Sequence, residues 1–121
     1  MKSTVKIYEY SGCSTCKKAL KFLEQKKIEY KKIPIVDQPP TMNELKKMLG
    51  FYDGQIGKLF NTSGLVYREM KLGEKLKTMT ESQALGLLAK NGKLIKRPFA
   101  LSETSGQVGF KVEEWKKLLR E

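Results

Sequence analysis

Histidine is missing from this chain, and cysteine, tryptophan and arginine are scarce. Among 121 residues there are two cysteines, one tryptophan and three arginines, Arg68, Arg97 and Arg120. A structural zinc site needs about four ligands, usually Cys or His. Here it would need carboxylates or a second chain to complete it. The basic residues are otherwise 21 lysines spread along the chain, which carries a net charge of +11. Dedicated nucleic-acid readers rely on arginine for bidentate contacts. The charge therefore reads as a solvated lysine surface, with no specific nucleic acid as partner. No apolar run approaches a membrane span. Residues 1–10 are half polar and lack a signal-type apolar stretch. The expected setting is thus a reducing cytoplasm, where paired cysteines tend to be catalytic or sensing. Repeats and low-complexity linkers are also missing. A chain of this length is expected to form one domain, 1–121, with its own core.

The two cysteines are what the chain does offer. They form Cys13-Ser14-Thr15-Cys16. Val5-Lys6-Ile7-Tyr8 before them alternates apolar and polar as a strand does. After them Ala19, Leu20, Phe22 and Leu23 share one face of a helical pattern, with lysines on the other. Cys-x-x-Cys at a strand-to-helix turn points to a redox-active thiol pair. The thiolate is the attacking form, and a helix N-terminus favours an anion. Cys13 falls at that N-terminus, with Lys17 and Lys18 nearby and Gly12 allowing the tight turn. Cys16 follows about one helical turn later. Cys13 is the candidate nucleophile and Cys16 the candidate resolving thiol, able to attack an adduct on Cys13. Two small core residues that happen to be cysteine are the competing reading. A structural disulfide across so short a spacing would close almost no loop.

The rest of the chain has a clear order of elements. Residues 28–33 read as a second strand, completing a parallel βαβ unit. Thr41-Met42-Asn43-Glu44 is a capping box opening a helix through Leu45, Met48 and Leu49. Gly50 and Asp53-Gly54 are expected to break it. Short helices follow over 56–90, including a second capping box at Thr80-Glu81-Ser82-Gln83, and Asn91-Gly92 stops the last of them. Strand signals return at Leu94-Ile95, Phe99-Ala100-Leu101 and Val108-Gly109-Phe110. The closing helix places Val112, Trp115, Leu118 and Leu119 on one face. Its acids Glu113 and Glu114 lie early and its bases Lys116, Lys117 and Arg120 late, matching the macrodipole.

These residues together resemble the arsenate reductase (ArsC)–Spx family of thioredoxin-like proteins. The resemblance rests on Tyr10-Ser11-Gly12-Cys13-Ser14-Thr15-Cys16-Lys17-Lys18-Ala19, on Gln38-Pro39-Pro40, on Phe60-Asn61-Thr62-Ser63-Gly64 with Tyr67-Arg68-Glu69, on Leu94-Ile95-Lys96-Arg97-Pro98 and on Val108-Gly109-Phe110. It implies an α/β, thioredoxin-like fold: a mixed sheet of about four strands flanked by helices, with a helical insertion at about 41–91. It implies that Cys13 is the nucleophile, that Arg97 binds the oxyanion and that Pro98 is a cis-proline facing the cysteine loop. Arg97 also makes sense independently, since a planar, permanently charged fork suits an oxyanion or a thiolate. By the same resemblance, Gly12, Ser14, Asn61, Arg68 and Pro98 are the expected substrate-binding positions.

The departures from the family pattern divide its functions. Glutathione-using arsenate reductases carry two further active-site arginines. Asn61 stands where one would fall, and no arginine stands near Val108-Gly109-Phe110-Lys111; Arg68 is a candidate substitute. The cysteine pair aligns the chain with Spx-like members, which use such a pair as a redox switch and bind the C-terminal domain of the RNA polymerase α subunit. The matching stretch here is around Asp53-Gly54-Gln55. The chain ends without the longer basic tail of Spx proteins and looks most like short ArsC-like members. The leading expectation is a thiol oxidoreductase of arsenate-reductase type acting on an oxyanion or disulfide. Its reductant would be thioredoxin, glutaredoxin or glutathione, with no bound cofactor or metal. The alternative is a redox-sensing regulator bound to RNA polymerase.

Overall fold

The computed structural model describes residues 5–10 and 12–118. Strand β1 (Val5–Glu9) leads into helix α1 (Ser14–Gln25) and back into strand β2 (Tyr30–Pro34). The two strands pair in parallel from Val5↔Tyr30 to Glu9↔Pro34. Four helices follow: α2 (Met42–Phe51), α3 (Leu65–Glu69), α4 (Leu72–Lys75) and α5 (Glu81–Lys90). Short 3-10 turns at Ile56–Leu59 and Gly92–Leu94 interrupt and close this insertion. Strands β3 (Phe99–Leu101) and β4 (Gly106–Val108) precede the closing helix α6 (Val112–Leu118). The sheet runs in the order β2-β1-β3-β4, with β3 antiparallel to both β1 and β4. This is the mixed four-stranded, thioredoxin-like sheet that the resemblance implies, with its helical insertion between β2 and β3.

The alternation of β1 sorts side chains to two faces. Val5 and Ile7 turn to one face with Ala19 and Leu23 of α1, Ala100 of β3 and Trp115 of α6. Tyr8 turns to the other, among Leu45, Met48 and Leu49 of α2 and Ala84, Leu85 and Leu88 of α5. Helix α1 therefore buries Cys16, Ala19 and Leu23 and leaves Lys17, Lys18 and Lys21 in solvent. Fully burying each such leucine contributes roughly 1.5–3 kcal/mol. Both capping boxes form: the Thr41 hydroxyl accepts from the Glu44 N–H and the Thr80 hydroxyl from the Gln83 N–H, with the acid or amide side chain reaching back in each.

Several local expectations are corrected. Leu94-Ile95 is not a sheet strand; Leu94 ends a 3-10 turn, and Ile95 makes a single antiparallel bridge to Phe60. The last strand ends at Val108, two residues early, because Gly109 takes a left-handed φ of 75°. Strand β2 begins at Tyr30, since Lys27 turns the chain with φ 57° and the Ile28 N–H still bonds the Leu23 carbonyl of the helix end. Gly50 lies inside α2; the break comes at Asp53 and Gly54, both with positive φ. Gly92 owes its place to a close approach, because a Cβ there would overlap the Ile35 carbonyl. Val112 is 42% exposed, whereas Trp115 is fully buried. Ser11, Leu119 and Arg120, and the side chains of Lys117 and Leu118, lie outside the described residues.

Candidate active site

Strand register brings the thiol loop and the arginine together. Tyr8 pairs with Phe99 across β1 and β3, and the residue numbers of each pair run in opposite directions. Tyr10 lies two residues beyond this pair on the β1 side and Arg97 two residues beyond it on the β3 side, which brings the two segments close together. Continuing β3 and β4 in the same way sets Pro98 opposite Gly109, whose N–H donates to the Pro98 carbonyl at 2.9 Å. The Arg97–Pro98 peptide is cis. The Gly109 carbonyl accepts from the indole Nε1 of the buried Trp115 at 3.0 Å, so the turn after β4 is held from both sides. The Lys96 N–H donates to the Leu59 carbonyl and the Asn61 N–H to the Leu94 carbonyl, which draws Asn61 in beside Arg97.

Cys13 is the N-cap of α1. Its sulfur accepts from the Cys16 N–H at 3.3 Å, and its own N–H donates to the Tyr10 carbonyl at 2.9 Å. The two cysteines are free thiols in different surroundings: Cys13 is half-buried and Cys16 is 1% exposed. Burial pushes the Cys16 thiol up to about 12, helped by its hydrogen bond with Cys13 and opposed by one from the Tyr10 backbone. Cys13 is therefore the more accessible of the two thiols, and Cys16 is buried.

In front of Cys13 opens a cleft of ≈560 Å³. Its described lining includes three cations, Lys96, Arg97 and Lys111, and no carboxylate. Thr15, Asn61 and Ser63 add polar groups. The Arg97 guanidinium lies over the Tyr10 ring, 4.6 Å from its centroid. Its Nη1 is buried without a hydrogen-bond partner among the described residues. Such a donor is costly unless it meets an acceptor, so the cleft offers a cationic surface to negative charge beside the Cys13 thiol.

Residues 8–118 match the ArsC family model. The chain belongs to the ArsC family. It is 50% identical to an ArsC-family-related protein of Bacteroides fragilis whose solved structure superimposes with a TM-score of 0.89, covering 95% of this chain and 97% of that one. It is 44% identical over 108 residues to YusI, an uncharacterised protein of Bacillus subtilis (strain 168), covering 89% of this chain and 92% of YusI. It is also 29% identical over 115 residues to the global transcriptional regulator Spx of Listeria innocua, covering 95% of this chain and 86% of Spx.

Within this ArsC chain the structure brings Cys13, Asn61 and Arg97 to one cleft. Pro98 is buried directly behind Arg97, while Gly12 and Ser14 lie exposed at the start of α1. Arg68 is not brought in: it is exposed on α3 and is not among the described residues lining the cleft. A helix of five residues turns its side chains over too short a span for the sequence pattern to reveal their direction. Sequence reasoning missed Lys96 and Lys111 as site residues. Lys96 precedes the arginine on the same segment, and its stem passes close over Gly109, where a Cβ would come 3.0 Å from its Cε. Among so many lysines, nothing in the sequence set these two apart. No helix among the described residues is long and apolar enough to cross a membrane.

Proposed function

We propose that the protein is a thiol-dependent oxidoreductase of arsenate-reductase type, with Cys13 as nucleophile and Cys16 as resolving thiol. The observation that carries this reading is the convergence on one cationic cleft of an accessible Cys13 and a buried Arg97 Nη1 with no hydrogen-bond partner among the described residues, with the buried Cys16 bonded to Cys13 through its N–H. With a disulfide substrate, the Cys13 thiolate attacks one sulfur. A mixed disulfide forms and the other sulfur leaves as a thiolate, its charge met by Arg97 and the cleft lysines. Cys16 then gives up its proton and attacks the Cys13 sulfur. The Cys13–Cys16 disulfide forms and the second thiol is released. With arsenate, Cys13 displaces a protonated oxygen as water, and attack of Cys16 on the Cys13 sulfur leaves arsenic with two more electrons, as arsenite. Thioredoxin, glutaredoxin or glutathione supplies the two electrons that restore both thiols. Gly12 and Ser14 would shape the loop around the adduct, Asn61 and Arg97 would hold the substrate, and Pro98 would back them.

Turnover of arsenate and of model disulfides, each coupled to thioredoxin and to glutaredoxin, tests the reading. Reduction of at least one substrate should vanish in Cys13→Ser, and Cys16→Ser should stop after the first half-reaction. Activity that survives Cys13→Ser refutes it.

The likeness to Spx supports a second reading, a redox-sensing regulator that binds the RNA polymerase α subunit. Asp53-Gly54-Gln55 forms an exposed turn at the end of α2, with positive φ at Asp53 and Gly54. Capture of the C-terminal domain of that polymerase chain by the reduced or the oxidised protein would favour this reading.

A further inference from the structure

We propose that Tyr10 is a positioning residue: its ring holds the Arg97 guanidinium over the cleft and thereby sets the preference of Cys13 for anionic over neutral reaction partners. The inference rests on the reading of Cys13 as nucleophile beside Arg97. Arg97 makes no hydrogen bond or ion pair with any described residue, so no polar contact among the described residues ties its side chain down. What holds it is the Tyr10 ring, 4.6 Å from the guanidinium carbon, within the range of a cation–π contact. The sheet brings the two segments together, since Tyr10 lies two residues after Tyr8 and Arg97 two residues before Phe99, the partner of Tyr8 in the β1–β3 ladder. The partners differ by depth. Tyr8 and Phe99 form an edge-on ring pair in the core, whereas Tyr10 is 36% exposed and outside both core clusters. A large aromatic so placed contributes little to the core.

Tyr10 is also tied to the nucleophile. Its carbonyl accepts the Cys13 N–H at 2.9 Å, so one residue fixes the start of the thiol loop and the face of the arginine. An arginine without this platform loses side-chain order and averages its charge over a wider volume. The Tyr10 hydroxyl makes no hydrogen bond with a described residue, so the aromatic face is the functional part of the side chain.

Alkylation rates test this in the reduced full-length protein. Iodoacetate and iodoacetamide both react with the Cys13 thiolate, forming a carbon–sulfur bond and releasing iodide. The thiolate fraction therefore cancels in their rate ratio, which reads the field felt by an incoming anion. Tyr10→Ala should lower the iodoacetate-to-iodoacetamide ratio by about threefold to tenfold, as expected for losing a contact of that kind. Tyr10→Phe should hold the ratio within about twofold of the parent. Tyr10→Leu keeps apolar bulk without a π face, so it should show the same drop if Tyr10→Ala does not fold. Arg97→Gln should lower the ratio at least as far. An unchanged ratio in folded Tyr10→Ala or Tyr10→Leu, with a lowered ratio in Arg97→Gln, overturns the role of Tyr10 and leaves the site reading standing. An unchanged ratio in Arg97→Gln overturns the site reading and this inference with it.

Discussion

In the proposed mechanism, the burial of Cys16 should make closure of the Cys13–Cys16 disulfide steeply pH-dependent. With the thiol pushed up to about 12, about one molecule in 10⁵ carries the Cys16 thiolate at neutral pH. Modifying Cys13 removes the hydrogen bond that contributes to this rise, but burial, the larger cause, remains. Raising the pH then multiplies the attacking thiolate tenfold per unit, with no levelling until the pH nears the thiol's own pKa. The experiment starts from the mixed disulfide of Cys13 with thionitrobenzoate, made with one equivalent of Ellman's reagent at about pH 5, where attack by Cys16 is slow. A stopped-flow jump to a series of higher pH values then starts closure, and the absorbance of the released thionitrobenzoate reports it. The rate should climb about tenfold per unit from about pH 7 to about pH 10. Cys16→Ser should give no release on the same timescale. A rate that is flat, or that levels off below about pH 9, would show that Cys16 ionises as an ordinary thiol and that its burial does not control resolution.

Two further outcomes follow from the same contacts. Because the native state holds the Cys16 proton from the ordinary thiol value of 9.0 up to about 12 while the unfolded chain has lost it, stability falls as pH rises through that window. Urea melts at about pH 8 and about pH 10.5 should show a loss of up to about 2 kcal/mol more in the parent than in Cys16→Ala; equal losses would argue against a perturbed Cys16. Trp115→Phe deletes the indole donor to the Gly109 carbonyl and leaves space beside Phe22 and Phe110. Denaturant titration should register a loss of about 2–4 kcal/mol, and a loss below about 0.5 kcal/mol would mean that the turn after β4 is held without this hydrogen bond.

Much of the fold was legible because it is written in short-range patterns. The alternation of Val5, Ile7 and Tyr8, the apolar face of α1 and the two capping boxes each need only a few neighbouring residues to act. Boundaries were less legible, because they turned on backbone conformations at Lys27, Asp53 and Gly109 that composition only hints at. Gly50 looked like a helix breaker and is not one, since tertiary packing of Leu45, Met48 and Leu49 carries α2 past it.

For the site, the sequence by itself determined the thiol pair, its place at the start of a helix and the presence of a rare arginine before a proline. Those are local facts, set by chain order and residue chemistry. Only the tertiary structure decided that Arg97 faces Cys13 from across a cleft, that Tyr10 lies under the guanidinium, that Lys96 and Lys111 join them and that Arg68 does not. These placements come from pairing segments distant in the chain, through the register of β1 with β3 and the bridge of Phe60 with Ile95. Such pairings are selected by the burial of two sheet faces at once, an energy that no single stretch of sequence contains.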